Sequence, residues 1–166
     1  MMKNNTLRTG LLVTAVASAG AFASYLQAAT VSTTVGANIL QPIAVSKAAD
    51  LTFGDVYPDG TTTGTVTVDF AGGRTFAGGA AAGTATGTAG VFTVTGEAGS
   101  LYALTIPASV ALTGPGTDMN VSLSNNSLGD LTTGTETFQV GGVLNVGIAQ
   151  TAGAYSATFD VTVNYN

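Results

Sequence analysis

The stretch Tyr155–Tyr165 alternates without a break. Tyr155, Ala157, Phe159, Val161, Val163 and Tyr165 fall on one face, and Ser156, Thr158, Asp160, Thr162 and Asn164 on the other. Successive strand side chains point to opposite faces, so this period of two belongs to a strand with one buried face. The same period runs through Ala29–Leu40, where Val31, Thr33, Val35, Ala37 and Ile39 share a face and Gly36 is a small break opposite. Leu51–Val56, Gly64–Phe70, Val91–Thr95, Leu101–Ile106 and Met119–Leu123 read as further strands. Tyr57-Pro58-Asp59-Gly60 and Gly114-Pro115-Gly116 are turn signals between them. Val91–Thr95 with Leu101–Ile106 reads as a hairpin, and so does Thr137–Val140 with Val143–Ile148 about Gly141-Gly142. Residues 71–90 hold seven Gly and seven Ala, the composition of a long loop or a weak, flat ribbon. Apolar residues at helical spacing over two turns appear only near the start of the sequence. Many short strands with turn signals between them predict an all-β sandwich.

The first 28 residues stand apart. Lys3 and Arg8 precede the apolar run Leu11–Ala23, which is too short to span a membrane and is followed by small residues. This is the pattern of a secretory signal peptide, cleaved after Ala28, with Ala23 as the alternative. Its removal takes two of the four basic residues and none of the nine acidic ones, leaving a net charge of −7. That balance argues against nucleic acid and anionic membranes as partners, and no second apolar run is long enough for membrane insertion. The sequence has no Cys, His or Trp, and only 8% of it is charged, against about 25% in an average domain. A zinc site or a nucleophilic triad would lack its usual ligands or base. Asp50, Asp55, Asp59 and Asp69 follow no calcium-loop spacing and read as solvated turn carboxylates. The expectation is a non-enzyme with no catalytic, cofactor or metal site.

The C-terminal pattern has a second property. Gly153 lies fourteenth from the end, the alternating apolar face follows it, and Tyr165 is penultimate. This resembles the assembly motif of chaperone–usher pilins. Val35-Gly-Ala-Asn-Ile39, Ile43-Ala-Val45 and Leu51-Thr-Phe-Gly54 resemble the opening of archaic and spore-coat-protein-U-like pilins, with Pro42 standing near the cysteine expected there. Val66–Asp69 with Gly73-Arg-Thr75, Phe92–Gly96 and Tyr102–Pro107 also resemble a cysteine-free family of secreted bacterial domains of unknown function.

The resemblance implies an incomplete immunoglobulin-like β-sandwich completed by a donor strand. The division it suggests is a signal peptide at 1–28, an N-terminal extension at 29–40 and a pilin-like body at 41–166. Val31, Thr33, Val35, Ala37 and Ile39 would be the donor face. Gly153, Tyr155, Ala157, Phe159, Val161, Val163 and Tyr165 would form the assembly strand. The implied partners are other copies of the chain in a fibre, a periplasmic chaperone and an outer-membrane usher. The implied location is the cell surface, reached through the periplasm, with a role in adhesion or biofilm formation. The alternative is a monomeric secreted adhesin or matrix-associated binding domain whose first strand pairs within its own sheet.

Overall fold

The computed structural model describes residues 28–166; the segment 1–28 expected to be a signal peptide lies outside them except for Ala28. The chain divides into two units between Ala37 and Asn38. The described part of the first, residues 28–37, contains no strand, and its Val31 and Val35 are 93% and 94% exposed.

The second unit is all β, with no helix among the described residues. In chain order its strands are β1 (Ala44–Ala49), β2 (Val56–Pro58), β3 (Gly64–Val68), β4 (Arg74–Gly78), β5 (Ala80–Ala82) and β6 (Gly90–Thr95). Then come β7 (Ser100–Thr105), β8 (Ser109–Leu112), β9 (Met119–Asn125), β10 (Asp130–Leu131), β11 (Thr135–Val146) and β12 (Thr162–Tyr165). All pairings are antiparallel.

β11 organises the main sheet. One of its edges pairs first with β6, through Thr135–Val140, and then with β3, through Gly142–Val146. Its other edge pairs with β9, which carries β8 outside it. β1 extends the sheet beyond β6, and β4 extends it beyond β3. The expected hairpin about Gly141-Gly142 is therefore absent, because β11 runs straight through. The two glycines mark a change of partner: a Cβ on Gly141 would press on the Val68 carbonyl, and one on Gly142 on the Ser122 carbonyl. Close backbone approach, not a turn, is what requires glycine here.

The other expected hairpin is corrected as well. β6 has both edges occupied, by β1 and β11, whereas β7 lies in a separate sheet of order β10–β7–β12. The Gly96–Gly99 link crosses between layers. The two sheets close on one core, with Phe92 and Val94 of β6 and Phe138 and Val140 of β11 facing Tyr102 of β7 and Leu131 of β10. The Phe92 and Phe138 rings stack at 5.5 Å. Alternation buries this set: β6 reads buried at Gly90, Phe92 and Val94 and half-buried between them.

Candidate functional site

The three-stranded sheet covers only half of the main sheet. The other half carries a second buried apolar cluster, comprising Val66, Met119, Val121, Leu144 and Val146 with Ala80 of β5, and with Val110, Leu112 and Leu123 packed against it. Two segments flank this floor. One is Leu51–Pro58, which follows β1. The other is Gln150–Phe159, which leads into β12. Between them lies a groove of about 790 Å³, lined by both segments and by the floor residues.

Each flanking segment has one edge occupied. On the first wall, Thr52 exchanges both backbone bonds with Thr88 at 2.9 Å, and β2 pairs with β5. On the second, Ser156 exchanges both bonds with Thr113 at 3.0 Å, and β12 then pairs with β7. Among the described residues, neither wall has a strand partner on its groove side. Each wall therefore keeps one backbone edge without a strand partner, beside a buried apolar cluster.

The ends of the groove differ. At one end β1 and β12 come into contact, and Ile43, Val45, Val161, Val163 and Tyr165 close over the covered core. The Tyr165 hydroxyl accepts the Glu97 N–H at 2.6 Å and donates to the Gln41 carbonyl at 2.8 Å, while Gln41 N–H donates to Glu97 Oε2 at 2.9 Å. At the other end the two walls are tied by one backbone bond, from the Ala149 N–H to the Asp59 carbonyl at 2.8 Å.

The segment that composition marks as loop or ribbon is a ribbon, and it backs the first wall. Its small residues permit the approach. A Cβ on Gly54 would overlap the Ala85 carbonyl, and one on Gly83 would overlap Asp55. Gly54 also sits at φ 64°, a conformation that L side chains rarely adopt. Asp55 is the only charged residue lining the groove. Hydrogen bonds from the Ala85 N–H and the Thr84 hydroxyl, helped by Arg74, hold its carboxyl below the ordinary aspartate value. Asp59 is likewise lowered, by the Thr62 and Thr61 hydroxyls. The two carboxylates thus act as turn acceptors. Among the described residues no group of three His, Cys, Asp or Glu side chains could hold a metal ion.

The C-terminal candidates divide along this arrangement. Gly153, Tyr155, Ala157 and Phe159 line the second wall, with Tyr155 packed on the open cluster. Phe159, Val161, Val163 and Tyr165 pack on the closed one. Their alternation survives although only Thr162–Tyr165 is ladder-paired strand. Of the donor-face residues, Val31, Val35 and Ile39 are all more than 90% exposed, and Thr33 and Ala37 are exposed too. The sequence reading missed the floor, supplied by Val110, Leu112, Met119, Val121, Leu144 and Val146. Strand periodicity marks each as inward-facing, yet nothing local tells which of the two clusters a core position joins.

Residues 43–165 match the family model described as Domain of unknown function (DUF4402). No curated protein and no solved structure matches the chain.

Proposed function

The chain belongs to the DUF4402 family, and we propose that its groove receives a β-strand from another copy, making the protein the structural subunit of a surface fibre. The observation that carries this reading is the pair of unpaired wall edges over the apolar floor. Residues Val31–Ile39 suit the vacancy. They are exposed, apolar on one face and free of charge, and their neighbours carry no charge from Ala29 to Ser46. Burying Val31, Val35 and Ile39 would contribute about 1.5–3 kcal/mol each, before any backbone ladder forms.

Reach favours a second copy over the same chain. A hairpin turning at Leu40–Gln41 would set Val31 opposite Asp50, one residue short of the groove's first lining residue, Leu51. The same hairpin would run along β1, where β12 already makes contact. A strand contributed by a neighbour has no such limit. Because groove and extension are different surfaces, the contact is heterologous, and repetition gives an open filament. Export, a periplasmic chaperone that shields the groove and an outer-membrane usher complete the reading, with adhesion or biofilm formation as the fibre's role.

The test compares the chain lacking its signal segment with the same chain lacking residues 29–40, by light scattering and mild-SDS gels. The longer form should give a concentration-dependent ladder. The shorter should stay monomeric and bind one equivalent of a peptide spanning residues 29–40. A longer form that remains a monomer at all concentrations would support the self-contained adhesin instead and end this proposal.

A further inference from the structure

The first wall is interrupted at its middle. Thr52 pairs with Thr88 and Val56 with Ala82, so three wall residues, 53–55, face five ribbon residues, 83–87. No regular ladder can bridge unequal lengths. Asp55 bridges the break by backbone, its N–H donating to the Ala85 carbonyl at 3.1 Å and its carbonyl accepting the Gly83 N–H at 2.9 Å, and Arg74, on edge strand β4, adds side-chain anchors. Its Nη1 donates to the Phe53 carbonyl at 2.7 Å and the Asp55 carbonyl at 3.1 Å, one on each side of Gly54. The guanidinium lies 5.1 Å from the Phe76 ring centroid, and its methylene stem passes Gly87, where a Cβ would meet Arg74 Cδ at 2.8 Å. Asp55 completes the staple from the wall side, its carboxylate holding Thr84 and Ala85 of the ribbon.

We infer that Arg74 is a positioning residue for strand uptake, holding the groove's first wall open and extended before a partner strand arrives. This inference rests on the proposed strand-accepting role of the groove. Phe53 and Val56 rise from the stapled stretch and pack against the open apolar cluster. With the staple gone, the backbone between Thr52 and Val56 would lose both of its guanidinium anchors, and the wall would have to be rebuilt before an incoming strand could pair with it. A preorganised acceptor avoids that rearrangement, so the loss falls on association. Lys47, the other cation of the described residues, cannot substitute, since it is exposed and paired with Asp50.

The experiment measures uptake of a fluorescein-labelled peptide spanning residues 29–40 by the full chain after signal removal, held at a dilution where light scattering finds it monomeric, unsubstituted and as Arg74→Gln and Arg74→Lys. Association and dissociation rates are read separately, and urea midpoints are recorded in parallel. Arg74→Gln should slow association about tenfold, equivalent to about 1.4 kcal/mol, while dissociation changes far less. Arg74→Lys, which keeps the charge but not the fork, should recover part of that rate. Phe138→Leu is the control: it weakens the closed core beneath the other half and should lower the urea midpoint without slowing uptake. Equal association rates for the Arg74 variants and the unsubstituted chain would overturn the inference, as would slowing no greater than that of Phe138→Leu. If Arg74→Gln does not fold, Arg74→Lys decides alone, with slowing of about threefold or more expected by the same arithmetic. Peptide uptake by the unsubstituted chain with no Arg74 effect sinks only the role of Arg74; no uptake at all sinks the strand-accepting role with it.

Discussion

Val35→Asp separates folding from assembly. Val35 is 94% exposed in the subunit, so a carboxylate there meets water and leaves subunit stability within about 0.5 kcal/mol. In the filament the same position would lie against the apolar floor. Loss of the valine burial removes about 1.5–3 kcal/mol. Placing an unpaired carboxylate in the groove costs several kcal/mol more, or forces it to take up a proton. A combined loss of at least about 4 kcal/mol corresponds to roughly a thousandfold weaker strand exchange. Thr34→Asp is the matched control, since residue 34 falls on the opposite face and would stay in solvent. The assay is two-colour subunit exchange in preformed filaments, with thermal melts of each subunit before assembly. Val35→Asp should melt like the parent yet fail to assemble, and Thr34→Asp should do both nearly normally. Equal defects from the two substitutions would refute the argument, because a period-two strand cannot bury both faces in one groove. Normal assembly by Val35→Asp would refute it more directly.

Tyr102 is buried at 3% exposure, and burial, countered in part by its Ser127 contact and reinforced by Glu136, raises its phenol to about 12. Its stabilising contribution is complete below the ordinary value of 10 and is lost as pH rises toward 12; Tyr102→Phe should remove that alkaline loss from urea midpoints measured against pH. The same substitution deletes the 2.7 Å bond to Glu136 and should cost about 1.5–3 kcal/mol at neutral pH, as for a hydrogen bond to a charged group. Asp55 and Asp59 are lowered from 3.8, so their contribution is present above pH 3.8 and lost as pH falls through their lower folded values; Asp55→Asn with Asp59→Asn should flatten the acid limb of the same titration. Gly83→Val, which drives a branched side chain into Asp55, should lower stability by about 1–3 kcal/mol in urea melts and weaken peptide uptake, because it pushes the ribbon off the wall it backs.

Inward-facing residues were legible wherever one face is buried and the other wet. Phe92 and Val94 on β6, Val66 and Val68 on β3, and the whole C-terminal apolar face fall where period-two reading puts them. Pairing was not legible. Gly141-Gly142 resembles a turn because glycine serves both turns and close backbone approach, and only the neighbours Val68 and Ser122 decide which. The Gly96–Gly99 link resembles a hairpin turn of ordinary length, yet the strands it joins belong to different layers, since β6 already has β1 and β11 at its edges. The ribbon at 79–88 was hardest to assign. Alanine and glycine carry almost no burial signal, and their use here is thinness, which depends on a wall more than 20 residues earlier in sequence. Arg74 was visible only as a rare cation. Its role depends on the mismatch between residues 53–55 and 83–87, which no local pattern encodes.

The two apolar clusters divide the protein's energetics. The closed one has Phe138, Leu131, Val94 and Val140 fully buried, stacked phenylalanines and a sheet on each side, so it can hold the body together without a disulfide. The open one shares β11 with it, through Leu144 and Val146, and so is built on a strand that the closed core has already fixed. Val66, Val121, Leu144 and Val146 are at most 4% exposed, so this cluster too is buried in the folded body, with Phe53, Val56 and Tyr155 packed against it. The long, unbroken β11 thus joins the two clusters in one sheet. The glycines at 141 and 142 belong to the same arrangement, since they let one strand pass from the closed half to the open half without a turn. If the groove takes a partner strand, the free energy of that step adds to a body already stable, and the subunit can wait for its neighbour without unfolding.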